Sequence, residues 1–112
     1  MIRDTLNDNA INALVYVSPA SGISYQGRTT TGGNTVPNGS AFGSAPWWIK
    51  LNRTGTTFTA YQSSDGSTWT QVGTSQTSTM SANAWIGLVV GSKNNMILNT
   101  STFDNVTFTA RP

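Results

Sequence analysis

The chain has 112 residues, of which 37% are hydrophobic and only 9% charged, with six Lys or Arg against four Asp and a net charge of +2. It holds no His, no Cys and no Glu, so zinc sites built on His or Cys, Ser-His-Asp and Cys-His nucleophile systems, imidazole-bound copper and every disulfide framework are excluded. Four Trp, four Phe and three Tyr supply apolar surface enough for a folded chain despite the low charge, and the length predicts one small domain over residues 1–112.

No apolar run approaches a membrane span, and the first residues, MIRDTLNDNA, contain no apolar leader segment. An i, i+3, i+4, i+7 apolar pattern is nearly absent, and short β-rich runs set apart by Gly, Asn, Ser and Pro dominate instead. Residues 1–5 supply a strand end. Residues 11–17 (INALVYV) form the first clear strand, and residues 23–29 (ISYQGRT) follow a turn at SPASG. The polar stretch up to Pro46 reads as a long surface loop or an irregular edge strand. Residues 47–53 (WWIKLNR) turn tightly at Thr54-Gly55 into residues 57–63 (TFTAYQS). Asp65-Gly66 signals a two-residue hairpin leading into residues 68–73 (TWTQVG). Residues 85–91 (WIGLVVG), 96–98 and 102–110 complete the set.

Seven to nine short strands predict an all-β fold, an antiparallel β-sandwich of jelly-roll type. Period-2 alternation nominates Leu14, Ile49, Leu51, Phe58, Val72, Ile86, Leu88, Val90, Phe103 and Val106 for its core.

From WWIKLNRTGTTFTAYQSSDGSTWTQVG, through MSANAWIGLVVGSKNN, to STFDNVTF, the chain resembles the DUF1349-type concanavalin A-like (laminin-G-like) β-sandwich domains. The opening MIRDTL is similar to a segment of the same family. The resemblance implies a concanavalin A-like sandwich from a secreted bacterial protein, acting as a non-catalytic carbohydrate-binding module beside an enzyme. Two departures stand out. Family domains carry strands upstream of the MIR segment, and Lys93 stands where the family often has His. A sandwich lacking those strands exposes sheet edges, so a homodimer is expected to cover them.

Sugar rings stack their C–H faces on aromatic side chains and present hydroxyls to amides and cations. Trp47, Trp48, Tyr25, Tyr61, Gln26 and Arg28 are the candidates for such a site. Trp47 and Trp48 are adjacent in a strand and must point to opposite faces. The resemblance favours Trp47 as the ligand contact, whereas alternation places it in phase with Ile49 and Leu51. Trp69 and Trp85 read as packing residues. Asp104 and Asn105, with Asp4 or Asp8, are candidates for a calcium site, against a plain reading as a bulge whose side chains bond backbone. Glycoside hydrolysis needs two facing carboxyl groups, and nothing suggests that two of the four Asp converge. The cations are scattered rather than striped, which argues against nucleic acid. The leading expectation is a polysaccharide-binding module, neither an enzyme nor a membrane-inserted protein. The alternative is a structural or adhesion domain acting in protein assembly.

Overall fold

The computed structural model describes residues 1–91, 98 and 100–109. Among these the chain is all-β, with nine strands: β1 (Ile2–Arg3), β2 (Asn12–Ser18), β3 (Gly22–Arg28), β4 (Val36–Ala41), β5 (Trp48–Thr54), β6 (Thr57–Ser63), β7 (Thr70–Gln71), β8 (Gln76–Thr77) and β9 (Trp85–Ile86). They build two antiparallel sheets packed as a sandwich. The first runs β4-β3-β2-β1-β9; the second runs β5-β6-β7, with β8 pairing β6 beyond β7. No helix among the described residues is long and apolar enough to cross a membrane.

The β2–β3 hairpin sets the first inner face. INALVYV is apolar on both sides, so β2 alone does not say which side is buried. The pairing of Ala13, Val15 and Val17 with Gly27, Tyr25 and Ile23 decides it. Ala13, Val15, Ile23 and Tyr25 join the core, while Leu14, opposite Gln26, faces outward. Leu14 is therefore not the core residue that alternation nominated.

The stretch after β3 holds a real edge strand, β4, bulged against β3 between Tyr25 and Gln26. Pro37 is tolerated there because an edge strand has a side that needs no ladder donor. In the second sheet β5 and β6 are joined at Gly55 with φ +60°, the tight turn expected. Their inner positions carry Ile49, Leu51, Phe58 and Ala60, and Val72 closes the layer by donating its amide to the Ala60 carbonyl at 2.9 Å. Phe58 and Val72 are fully buried and Met80 joins them; Ile49 and Leu51 pack at the margin.

Gln76, in a Ser/Thr-rich stretch that shows no strand pattern, is a buried polar clamp. Its amide nitrogen donates to the Asn12 carbonyl at 3.0 Å, and its oxygen accepts from Asn38 Nδ2 at 3.0 Å. It fits because Gly27 has no side chain: a Cβ there would fall 1.8 Å from Gln76 Oε1.

Beyond residue 84 the structure departs from the expected strands. Among the described residues of that stretch only Trp85–Ile86 pairs, although the amide of Gly87 continues the contact with the Met1 carbonyl. Ile86, Leu88, Val90, Phe103 and Val106, all nominated for the core, are exposed. Ile86 shares the inner side with Ile2, its register partner. No strand of the second sheet pairs with β5 on its open side among the described residues, so Ile86 is left uncovered. Residues 102–109 form no strand, and residues 96–97 and 110 of the expected strands lie outside the described residues.

Candidate binding face

The outer face of the second sheet carries the densest set of aromatic and polar side chains. On β5 the outward positions are Trp48, Lys50 and Asn52, because Ile49 and Leu51 face the core. Their register partners on β6 are Ser63, Tyr61 and Thr59. Gln71 pairs with Tyr61 and so shares its side, and Trp69, two residues earlier, lies on that side as well. At the far end Thr59 Oγ1 and Ser75 Oγ are hydrogen-bonded at 2.9 Å.

The centre of the face is a cation between two rings. Lys50 Nζ sits 4.8 Å from the Tyr61 ring centroid and 4.4 Å from that of Trp69. Such contacts hold an ammonium without neutralising it. At one margin, Trp48 lies against the turn between β6 and β7. A Cβ on Gly66 would approach the Trp48 indole to 2.7 Å, and Gly66 has φ +79°, so the bare backbone there is the seat of the ring. Trp48 remains 36% exposed.

That turn is fixed by Asp65. Its Oδ1 accepts from the amides of Ser67 at 2.8 Å and Thr68 at 2.9 Å, and from the Ser63 hydroxyl at 2.9 Å. These donors, the Thr68 amide first, hold the carboxyl down at about 2. The loop is longer than the two-residue Asp-Gly turn expected: β6 ends at Ser63 and β7 begins at Thr70.

The other sequence candidates fall elsewhere. Tyr25 is fully buried, and its hydroxyl donates to the Phe58 carbonyl at 2.7 Å; it cannot stack on a ligand. Burial pushes this phenol up to about 12. Arg28 is a structural staple: Nε donates to the Gly33 carbonyl at 2.8 Å, and Nη1 to the carbonyls of Asp8 and Ala10 at 2.9 and 3.2 Å. Gln26 faces outward on the first sheet, opposite Leu14 and away from the aromatic face. Trp47 packs against the core with its indole N–H on Gln62 Oε1 at 2.7 Å, as alternation requires and against what the resemblance suggests. Of the six candidates, Trp48 and Tyr61 lie on one exposed face.

Trp69, Lys50, Asn52 and Gln71 join them there. Two sequence signals disagree over Trp69: burial of Val72, three residues on, turns it outward, whereas the two-residue Asp-Gly turn expected turns it inward, and the observed register follows Val72. Trp85, read as a packing residue, is exposed and shares the side of Arg3 on the first sheet.

Asp104 and Asn105 are exposed, the Asn105 side-chain amide donates to Asp104 Oδ1 at 3.3 Å, and Asn105 has φ +51°. Asp4 is used elsewhere, accepting from the Ser81 amide at 2.9 Å. No group of three or more His, Cys, Asp or Glu gathers among the described residues.

Comparison with known protein families, with curated proteins and with solved structures finds no match to this chain.

Proposed function

We propose that this chain is a non-catalytic carbohydrate-binding domain that docks polysaccharide on the outer face of its second sheet. The observation that carries the reading is the outward set Trp48, Tyr61 and Trp69, spread over neighbouring strands and bordered by Asn52, Gln71 and Thr59. Rings held on a sheet are a rigid stacking platform, and amides and hydroxyls beside them match the equatorial hydroxyls of a sugar. The resemblance to DUF1349-type concanavalin A-like domains supports the same reading and, with it, a secreted protein in which the domain holds a linked enzyme at its substrate.

Depletion of the protein by insoluble cellulose, xylan, mannan, β-1,3-glucan and chitin tests this. Retention on at least one glycan, lost in Trp48→Ala and Trp69→Ala but kept in Trp85→Ala, is the expected result. Retention that does not depend on Trp48 or Trp69 would place the platform elsewhere.

The exposed apolar run Ile86, Leu88, Val89 and Val90 favours a second reading, assembly through the β9 edge. Two copies pairing edge to edge about a twofold axis would extend the first sheet and cover these side chains on both. A dimer in sedimentation analysis, converted to monomer by Leu88→Lys, is the outcome this reading expects.

A further inference from the structure

The cations of this protein are not equivalent. Arg3 donates to the carbonyls of Thr5 and Asn7, Arg28 to those of Gly33, Asp8 and Ala10, and Arg53 to those of Gly55, Ser81 and Met80. These three guanidinium groups brace loops. Lys50 is different. Its ammonium has no carboxylate or carbonyl partner among the described residues and rests over the rings of Tyr61 and Trp69.

The strand positions around it are Trp48, Asn52, Thr59, Tyr61 and Gln71, with no acid among them. The nearest acid along the chain, Asp65 in the turn at the margin, has its Oδ1 occupied by two amides and a hydroxyl. The face is therefore positive at its centre, where Lys50 makes no ion pair among the described residues, in a chain of net charge +2.

Resting on the glycan reading above, we infer that this face selects an acidic polysaccharide, one built of uronic acid residues, with Lys50 as the residue that receives the carboxylate. A uronate carboxylate leaves the ring edge at C5. A ring stacked on an aromatic of this face thus presents it sideways, where a neighbouring ammonium can meet it. A single point charge matches one carboxylate per sugar ring; heavily sulfated chains bring several charges per repeat and call for clustered cations. The two rings keep the ammonium extended over the face, so little side-chain freedom is lost on binding.

The test compares retention on polygalacturonate with retention on the same polymer fully methyl-esterified, which keeps the backbone and removes the charge. Dextran sulfate and neutral xylan serve as further arms. Wild type is expected to bind the acid form about tenfold more tightly than the ester, as one charge-assisted contact allows. Lys50→Gln should abolish that difference while its melting temperature persists, and Lys50→Arg should restore most of it. Raising NaCl from about 0.05 to about 0.5 M should shrink the preference too. Equal retention on acid and ester overturns the inference and leaves the glycan reading standing. A preference unchanged in Lys50→Gln overturns the role of Lys50, and tighter retention on dextran sulfate overturns the uronate assignment. No retention on any arm overturns the inference, and overturns the glycan reading with it when cellulose, mannan, β-1,3-glucan and chitin also fail to retain the protein.

Discussion

Tyr25 on β3 and Phe58 on β6 are joined across the two sheets: the Tyr25 hydroxyl donates to the Phe58 carbonyl at 2.7 Å, and both residues are fully buried. An aromatic residue that looks like a sugar contact in the sequence is a bolt through the sandwich. Tyr25→Phe removes the donor and leaves a buried carbonyl short of a partner, so it should cost about 1–2 kcal/mol in chemical denaturation.

The same phenol sets an alkaline limit. Its pKa is raised by burial to about 12, whereas an unfolded chain loses this proton near pH 10. The folded state then binds more protons, so stability falls as pH climbs from about 10 to 12. Tyr25→Phe should flatten that part of the stability profile, read by urea melts at stepped pH.

Asp65 acts in the opposite direction. Its carboxyl is held at about 2 by the Thr68 and Ser67 amides and the Ser63 hydroxyl, below the ordinary value near 4. Its contribution is complete above pH 4 and is lost as pH falls towards 2. Asp65→Ala should be less stable than wild type at neutral pH, and the two should converge near pH 2. Because this turn seats Trp48, the variant should also weaken glycan retention.

The adjacent tryptophans separate packing from binding. Trp47 is packed against the core with its N–H bonded to Gln62, and Trp48 is outside. Trp47→Ala should cost about 3 kcal/mol of stability. Trp48→Ala should cost less than about 1 kcal/mol and act on retention instead. Thermal melts and glycan depletion on the same two proteins check both halves.

Buried Gln76 offers a test of the polar interior. Gln76→Leu keeps the volume but strands the Asn12 carbonyl and the Asn38 amide, and should cost about 2 kcal/mol or more. Gly27→Ala should be damaging as well, since its new Cβ collides with Gln76 Oε1.

Alternation and turn chemistry were enough to predict an all-β chain, the β2–β3 and β5–β6 hairpins, and burial of Phe58 and Val72. They failed where both faces of a strand are apolar. Leu14 and Val15 are equivalent in β2 until β3 supplies Tyr25 and Gly27 as partners. They failed again at the turn after β6. A two-residue Asp-Gly turn pairs Gln62 with Trp69, whereas the observed pairing is Gln62 with Thr70. Relative to that turn, the one-residue change reverses the faces of the β7 segment, which agrees with the burial of Val72 and puts Trp69 beside Lys50. Gln76 gave no signal at all, because its role depends on the missing side chain of Gly27, 49 positions earlier in the sequence. The apolar stretch from Trp85 reads as a core strand through its composition, but burial needs a facing strand, and composition does not show one.

The most direct test of the binding face follows the four indole N–H signals by two-dimensional NMR while cellohexaose, xylohexaose and an oligogalacturonate are titrated separately. Trp48 and Trp69 should shift and saturate together with at least one of them, while Trp47, bonded to Gln62, and Trp85, on the other sheet, stay in place. Shifts confined to Trp47 or Trp85, or no shift of any indole with all three, would contradict a glycan platform on this face.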